Sequence, residues 1–280
     1  MDTATKLKVL EVIVRALAED IGAGDCTSDW IVPHDLMLKG EILVKQPGTI
    51  AGLEVTALVF QTVDSSIQFS PLAADGDRVL RSTVAARLNG PARSLLTAER
   101  TALNFMQRMS GIATDARRFV DAVAGTKAVI LDTRKTAPGL RFLDKWAVHL
   151  GGAQNHRAGL YDMVLIKDNH IAAAGSITCA VQRVRKQNRA GLQVEVEVKS
   201  LKELDEALAL NVDRIMLDNM SLDDIREAVR RAGGHVKLEV SGGVDITNVV
   251  KIAATAVDYI SVGALTHSPQ ALDISLELHP

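Results

Sequence analysis

From residue 128 onward the chain follows one rhythm, in which short, apolar, β-branched runs are separated by helix-sized intervals. The runs are AVILDT, DMVLIKD, VEVEVK, RIMLDN, KLEVSG and YISVGA, and stretches such as LKELDEALAL and SLDDIREAVRRAG lie between them. Apolar strands alternating with helices imply right-handed βαβ units and a parallel sheet covered on at least one face. Six runs in succession favour barrel-like closure, with an open doubly wound sheet as the alternative.

The first third has a mixed texture. MDTATKLKVLEVIVRALAED carries Glu11, Arg15, Glu19 and Asp20 within its apolar pattern, so it reads as an amphipathic helix and not as a signal peptide. LMLKGEILVK reads as a strand and LEVTALVFQTV as a helix, while ADGDRV and RLNGPARS read as turns, which together suggest an α+β unit. SLLTAERTALNFMQRMSG places Leu96, Leu103, Met106 and Met109 at helical spacing, with Gly111 as its terminator and TDARRFVDAVAG as a second helix.

Composition narrows the function classes. With 280 residues and 47% hydrophobic content the chain can bury a sizeable core, enough for one large domain or two ordinary ones. A net charge of -2 leaves no global basic field for nucleic acid or an anionic membrane surface, and 3% aromatics leaves few platforms for stacking bases. No apolar run approaches the roughly 20 residues of a membrane span. Cys26 and Cys179 stand far apart in no metal-type spacing, so the expected compartment is a reducing cytoplasm.

The chemistry sits where the apolar runs end. Five of them finish in Thr133, Arg134 and Lys135; Lys167 and Asp168; Glu197; Asp218; and Ser241, Gly242 and Gly243, while the sixth ends in Val262, Gly263 and Ala264. In α/β barrels these C-terminal ends converge on one rim, so residues distant in sequence share a cleft. A lone Lys167 would be read as solvated; recurrence across the strand ends changes that. Arg134, Lys135, Arg157 and Lys167, with His156 nearby, call for a multiply charged anion, since each close ion pair contributes roughly 4 kcal/mol before desolvation at an effective dielectric of about 20. SGGV and VGAL put small residues ahead of a helix, as a phosphate cup requires.

Opposite the cations, Glu197 and Asp218 suit Mg²⁺ or ribose hydroxyls and could steady a developing positive charge. Ser221 is the better cap for the following helix, which frees Asp218. Glu195 is expected on the opposite strand face from Glu197, in a solvated or salt-bridged role, and His170 and His267 are expected to be structural hydrogen-bonders.

ERTALNFMQRMSGIAT, LDTRKTAPGLR, NHRAGLYDMVLIKDNHI, EVEV, IMLDNM, SGGV and SVGALTHS together resemble the quinolinate phosphoribosyltransferase family from about residue 97 to the C-terminus, and EDIGAGDCTSD extends the resemblance upstream. It implies an α/β fold with an N-terminal α/β sandwich domain at 1–111, an open, incomplete (TIM-like) α/β barrel at 112–270, and a segment at 271–280 packing back toward the first domain. It implies an enzyme of NAD synthesis that joins quinolinate to phosphoribosyl diphosphate with decarboxylation, working as at least a homodimer with shared active sites. Arg100 then reaches quinolinate across the dimer interface. Thr133, Arg134, Lys135, His156, Arg157 and Lys167 form the basic pocket. Glu197 and Asp218 stand near the ribose and a substrate-associated Mg²⁺, and Ser241, Gly242 and Gly243 with Val262, Gly263 and Ala264 form the phosphate cup. Lys135, Lys167, Glu197 and Asp218 are the catalytic candidates. Ala153 departs from the glycine more usual in the family at that point, which bears on loop conformation. The alternatives are another phosphoribosyltransferase, another phosphate-binding barrel enzyme, or a non-catalytic ligand-binding paralogue.

Overall fold

A computed structural model describes residues 1–279. The chain opens with α1 (Thr3–Ile21), α2 (Cys26–Ile31), β1 (Met37–Val44), β2 (Gly48–Thr49) and α3 (Leu53–Val63). There follow β3 (Gln68–Pro71), β4 (Arg78–Val79), β5 (Val84–Pro91) and the long α4 (Ala92–Ala122). Next come β6 (Val129–Leu131), α5 (Arg141–Leu150), β7 (Val164–Ile166), α6 (Asp168–Ala174), α7 (Ile177–Gln187) and β8 (Val194–Val198). The last elements are α8 (Leu201–Leu208), β9 (Arg214–Asp218), α9 (Leu222–Ala232), β10 (Lys237–Ser241), α10 (Val249–Ala253), β11 (Tyr259–Ser261), α11 (Ala264–His267) and β12 (Ile274–His279).

Two compact units result. The first combines Met1–Arg117, Ala137–Gly152 and the chain from Ser268 onward; the second combines Arg118–Thr136 and Ala153–His267. In the first, a four-stranded antiparallel sheet runs β12-β1-β5-β3. Gly40, Ile42 and Val44 of β1 are buried while the residues between them are partly exposed, the alternation of a sheet with one covered face. Phe60 of α3 meets Phe69 of β3 with ring centroids 6.3 Å apart. β12 pairs with β1 from Lys39↔His279 to Val44↔Ile274.

Two local expectations fail here. RLNGPARS is not a turn: β5 runs through it to Pro91, paired with β1, because Gly90 allows Ile67 to lie against the strand, where a Cβ would sit 2.9 Å from its Cγ1. Gly111 ends no helix either, since α4 continues unbroken to Ala122. Its missing side chain instead makes room for the Gln270–Ala271 backbone.

The second unit holds six parallel strands in the order β6-β11-β10-β9-β8-β7. From β7 to β11 each strand lies beside its predecessor, so these crossovers all step the same way, and β6 then adjoins β11. A doubly wound sheet would reverse at a switch point; this one is singly wound, with its two end strands β6 and β7 left unpaired with each other. The architecture is therefore an open, incomplete α/β barrel. At the open seam Gln154 bridges Leu131 in parallel, so the segment leading to His156 lies along the free edge of β6. Ser176, Ser200 and Ser221 accept the backbone N–H groups of Cys179, Glu203 and Asp224, fixing the starts of α7, α8 and α9. No helix among the described residues is long and apolar enough to cross a membrane.

Candidate active site

A cavity of about 440 Å³ opens at the C-terminal rim of the parallel strands, and every residue walling it belongs to the second unit. Thr133, Arg134 and Lys135 enter it from the turn after β6. The Thr133 hydroxyl accepts the Lys135 N–H at 3.1 Å, and Thr266 donates its hydroxyl to the Lys135 carbonyl at 2.9 Å, so that turn is pinned from two sides. Gly263 leaves the lysine stem its space: a Cβ there would stand 3.3 Å from Lys135 Cδ.

Lys167 follows β7, and its backbone N–H is held by His170 Nδ1 at 3.0 Å. Its ammonium lies 3.5 Å from Oε2 of Glu197, a carboxylate 9% exposed near the end of β8. Burial pushes the Glu197 carboxyl up; the Lys167 cation opposes this, and the charges of Asp218 and Asp168 reinforce it. Gly242 and Gly243, at φ +93° and +59°, turn the backbone after β10 in a conformation that favours glycine. That turn does not lead straight into a helix, as SGGV suggested. Asp245 first organises it, accepting the Thr247 and Asn248 N–H groups at 2.7 and 3.1 Å, before α10 begins at Val249.

His156 and Arg157 arrive from the seam. Buried Asp132 accepts the His156 N–H at 2.8 Å, and the Arg157 N–H donates to His156 Nδ1 at 2.8 Å, which puts the ring proton on Nε2. Nε2 faces Glu195 Oε2 at 3.0 Å and Glu239 Oε2 at 3.5 Å. Burial pushes the imidazole's pKa down, and the hydrogen bonds and charges of these two carboxylates push it up. The Arg157 N–H directed at Nδ1 requires a lone pair there and opposes a second ring proton, so the ring is neutral with its proton on Nε2. Burial and the Glu239 charge push Glu195 up to about 7, opposed by His156 and Arg214.

Glu195 corrects an expectation. Residues two apart on a strand share a face, because side chains alternate with period 2, so Glu195 points the same way as Glu197 and not opposite to it. It is salt-bridged and fully buried, not solvated.

Of the other anticipated residues, Ser241, Gly242, Gly243, Gly263 and Ala264 wall the cavity. Asp218 does not, although Glu197 feels its charge; it ends β9 beside Ser241, with its Oδ1 accepting from the Asn219 amide. Val262 is fully buried, and its N–H is committed to the Leu131 carbonyl at 2.9 Å. Arg100 lies on α4 in the first unit, its side chain 62% exposed. His267, read as structural, walls the cavity, as do Asp245, Ser261, Leu165 and Met216, which went unflagged. The SGGVD sequence carried a signal for Asp245; buried apolar strands give none that separates an inward Leu165 or Met216 from its outward neighbours.

Sequence models of the two domains of quinolinate phosphoribosyl transferase match this chain, the N-terminal one over residues 25–110 and the C-terminal one over residues 112–277. The chain belongs to the quinolinate phosphoribosyl transferase family. Among members of that family it is 47% identical, over 268 residues, to a probable nicotinate-nucleotide pyrophosphorylase of Synechocystis, covering 94% of this chain and 90% of the relative. A chloroplastic nicotinate-nucleotide pyrophosphorylase of Arabidopsis thaliana is 44% identical, with 95% of this chain and 82% of that one covered. The crystal structure of NadC from Streptococcus pyogenes superposes with a TM-score of 0.94 at 40% identity, covering 98% of this chain and 97% of that one.

Proposed function

We propose that the protein transfers the phosphoribosyl group of phosphoribosyl diphosphate to the ring nitrogen of quinolinate with loss of carbon dioxide, forming nicotinate mononucleotide and diphosphate. One observation carries this reading: Arg134, Lys135, Arg157 and Lys167 converge with His156 on one cavity, faced by Glu197, in a chain whose net charge is -2. Such a cavity suits two polyanions meeting at a centre that becomes positive.

The cations hold the carboxylates and the diphosphate close together, so positioning and charge neutralisation supply much of the rate. As the bond to diphosphate breaks, positive charge grows on the ribose ring carbon and oxygen, where Glu197, with Asp218 beyond it, stabilises it. The nitrogen, once quaternised, draws in the electron pair released as the adjacent carboxylate departs as carbon dioxide, and that carbon then takes up a proton. Hard carboxylate oxygens beside a diphosphate site fit Mg²⁺, which Glu197 and Asp218 would help hold and which would neutralise the departing diphosphate. The backbone turns at Ser241–Gly243 and Gly263–Ala264 are assigned to phosphate.

Incubation with quinolinate, phosphoribosyl diphosphate and Mg²⁺ is expected to release carbon dioxide and nicotinate mononucleotide in equal amounts. Turnover of nicotinate but not quinolinate would replace this reading with another phosphoribosyl transfer, and binding without turnover would make the protein a ligand carrier. The reading includes at least a homodimer in which Arg100 serves the neighbouring chain's site; its 62% exposed side chain is available for that. Mixing inactive Arg100→Ala and Lys135→Ala chains is expected to restore part of the activity, and confirmed mixed dimers that stay inactive would remove the shared site. Exposed, unpaired Cys26 and Cys179 support a reducing cytoplasmic setting.

A further inference from the structure

Two carboxylates of the second unit have no task in the reaction outlined above. Glu195 and Glu239 are fully buried, and a chain retains such a pair only where partners offset the desolvation. Glu239 is held at both oxygens: the Ser261 hydroxyl donates to Oε1 at 2.5 Å and Arg214 donates to Oε2 at 2.8 Å, with the guanidinium 4.1 Å from the Tyr259 ring centroid. Glu195 is different. Its Oε2 meets His156 at 3.0 Å, and its Oε1 makes no hydrogen bond, so its bonding is directed at that imidazole.

We propose that Glu195 and Glu239 are positioning residues that lock the ring of His156 and, through its Nδ1 lone pair, the backbone of Arg157, which fixes the Arg157 guanidinium in the anion cavity. Nδ1 can accept the Arg157 N–H only while the ring proton sits on Nε2, and a carboxylate facing Nε2 secures that tautomer. Arg157 needs such fixing because burial and the nearby Arg134 cation both disfavour its charge. Beyond the backbone, its guanidinium donates to the Met163 carbonyl at 3.1 Å. The donor atoms of His156, Glu195 and Glu239 lie within 4.8 Å of one another, a spacing that would also suit a metal ion. Arg214 and Ser261 already occupy both Glu239 oxygens, so the protein supplies the compensating charge itself.

The inference rests on the reading that the cavity takes anions, so binding is measured with inorganic diphosphate and, separately, with quinolinate. Glu195→Leu is expected to weaken the same probe as Arg157→Gln, by about tenfold or more. Glu195→Gln keeps the acceptor and should bind within about twofold of the parent. The double variant Glu195→Leu/Arg157→Gln should be no weaker than Arg157→Gln alone, since the first residue acts through the second. In turnover, the loss should appear in KM more than in kcat. Should Glu195→Leu fail to fold, Glu195→Asp, which withdraws the acceptor while keeping the charge, is expected to weaken the same probe. Additive losses in the double variant, or a folded Glu195→Leu or Glu195→Asp chain that binds as tightly as the parent, would overturn the proposal. A parent that binds diphosphate but does not turn over quinolinate would remove the proposed reaction and not the anchor; a parent that binds neither probe would remove both.

Discussion

Glu197→Gln is expected to lower kcat by roughly 10²- to 10³-fold while KM changes little. The substitution keeps the shape and removes the charge. Glu197 is 9% exposed, so its charge acts through little intervening water, and its nearest cation is Lys167 at 3.5 Å. The ribose of phosphoribosyl diphosphate carries no positive charge in the ground state; that charge appears only as diphosphate leaves. Loss of the carboxylate should therefore be felt in the transition state. Steady-state kinetics with both substrates saturating in turn check this, and a large rise in KM at unchanged kcat would instead assign Glu197 to ground-state binding.

The second large effect concerns stability and has an unusual sign. Replacing a glycine inside a helix by alanine ordinarily stabilises by about 1 kcal/mol. Gly111→Ala should instead destabilise by about 2 kcal/mol or more, because a Cβ there would lie 3.0 Å from the Gln270 carbonyl carbon and 3.1 Å from Ala271 Cα, and closer still to the Gln270 oxygen. Backbone cannot swing aside as a flexible side chain can. Urea denaturation, read as a lower midpoint at unchanged slope, checks it. A raised midpoint would show that the Gln270 segment yields freely.

The same glycine shows where sequence reading stops. Near the end of an apolar pattern it looked like a helix terminator, yet its reason for being glycine is a contact with a segment far along the chain. RLNGP misled for the same reason: Gly90 accommodates Ile67, and nothing local announces it. By contrast, the six parallel strands were legible because βαβ units impose their rhythm on consecutive residues. The cations of the cavity were legible because charged groups recur at the ends of successive apolar runs, where a single one would have been read as solvated. Val262 lies outside the cavity wall because its N–H belongs to the ladder with β6, a pairing set by barrel closure. The buried Glu195–His156–Glu239 cluster was hidden because its members come from three separate segments that only the folded barrel brings within bonding distance.

The pairing of β12 with β1 also orders events in time. Residues 153–267 form a nearly contiguous part of the second unit, so most of the barrel can assemble while synthesis continues. The first unit cannot finish then, because one flank of β1 awaits Ile274–His279, which are made only after the whole of the second unit. Until that strand emerges, a nascent chain displays the open edge of β1, the kind of edge that recruits strands from other chains.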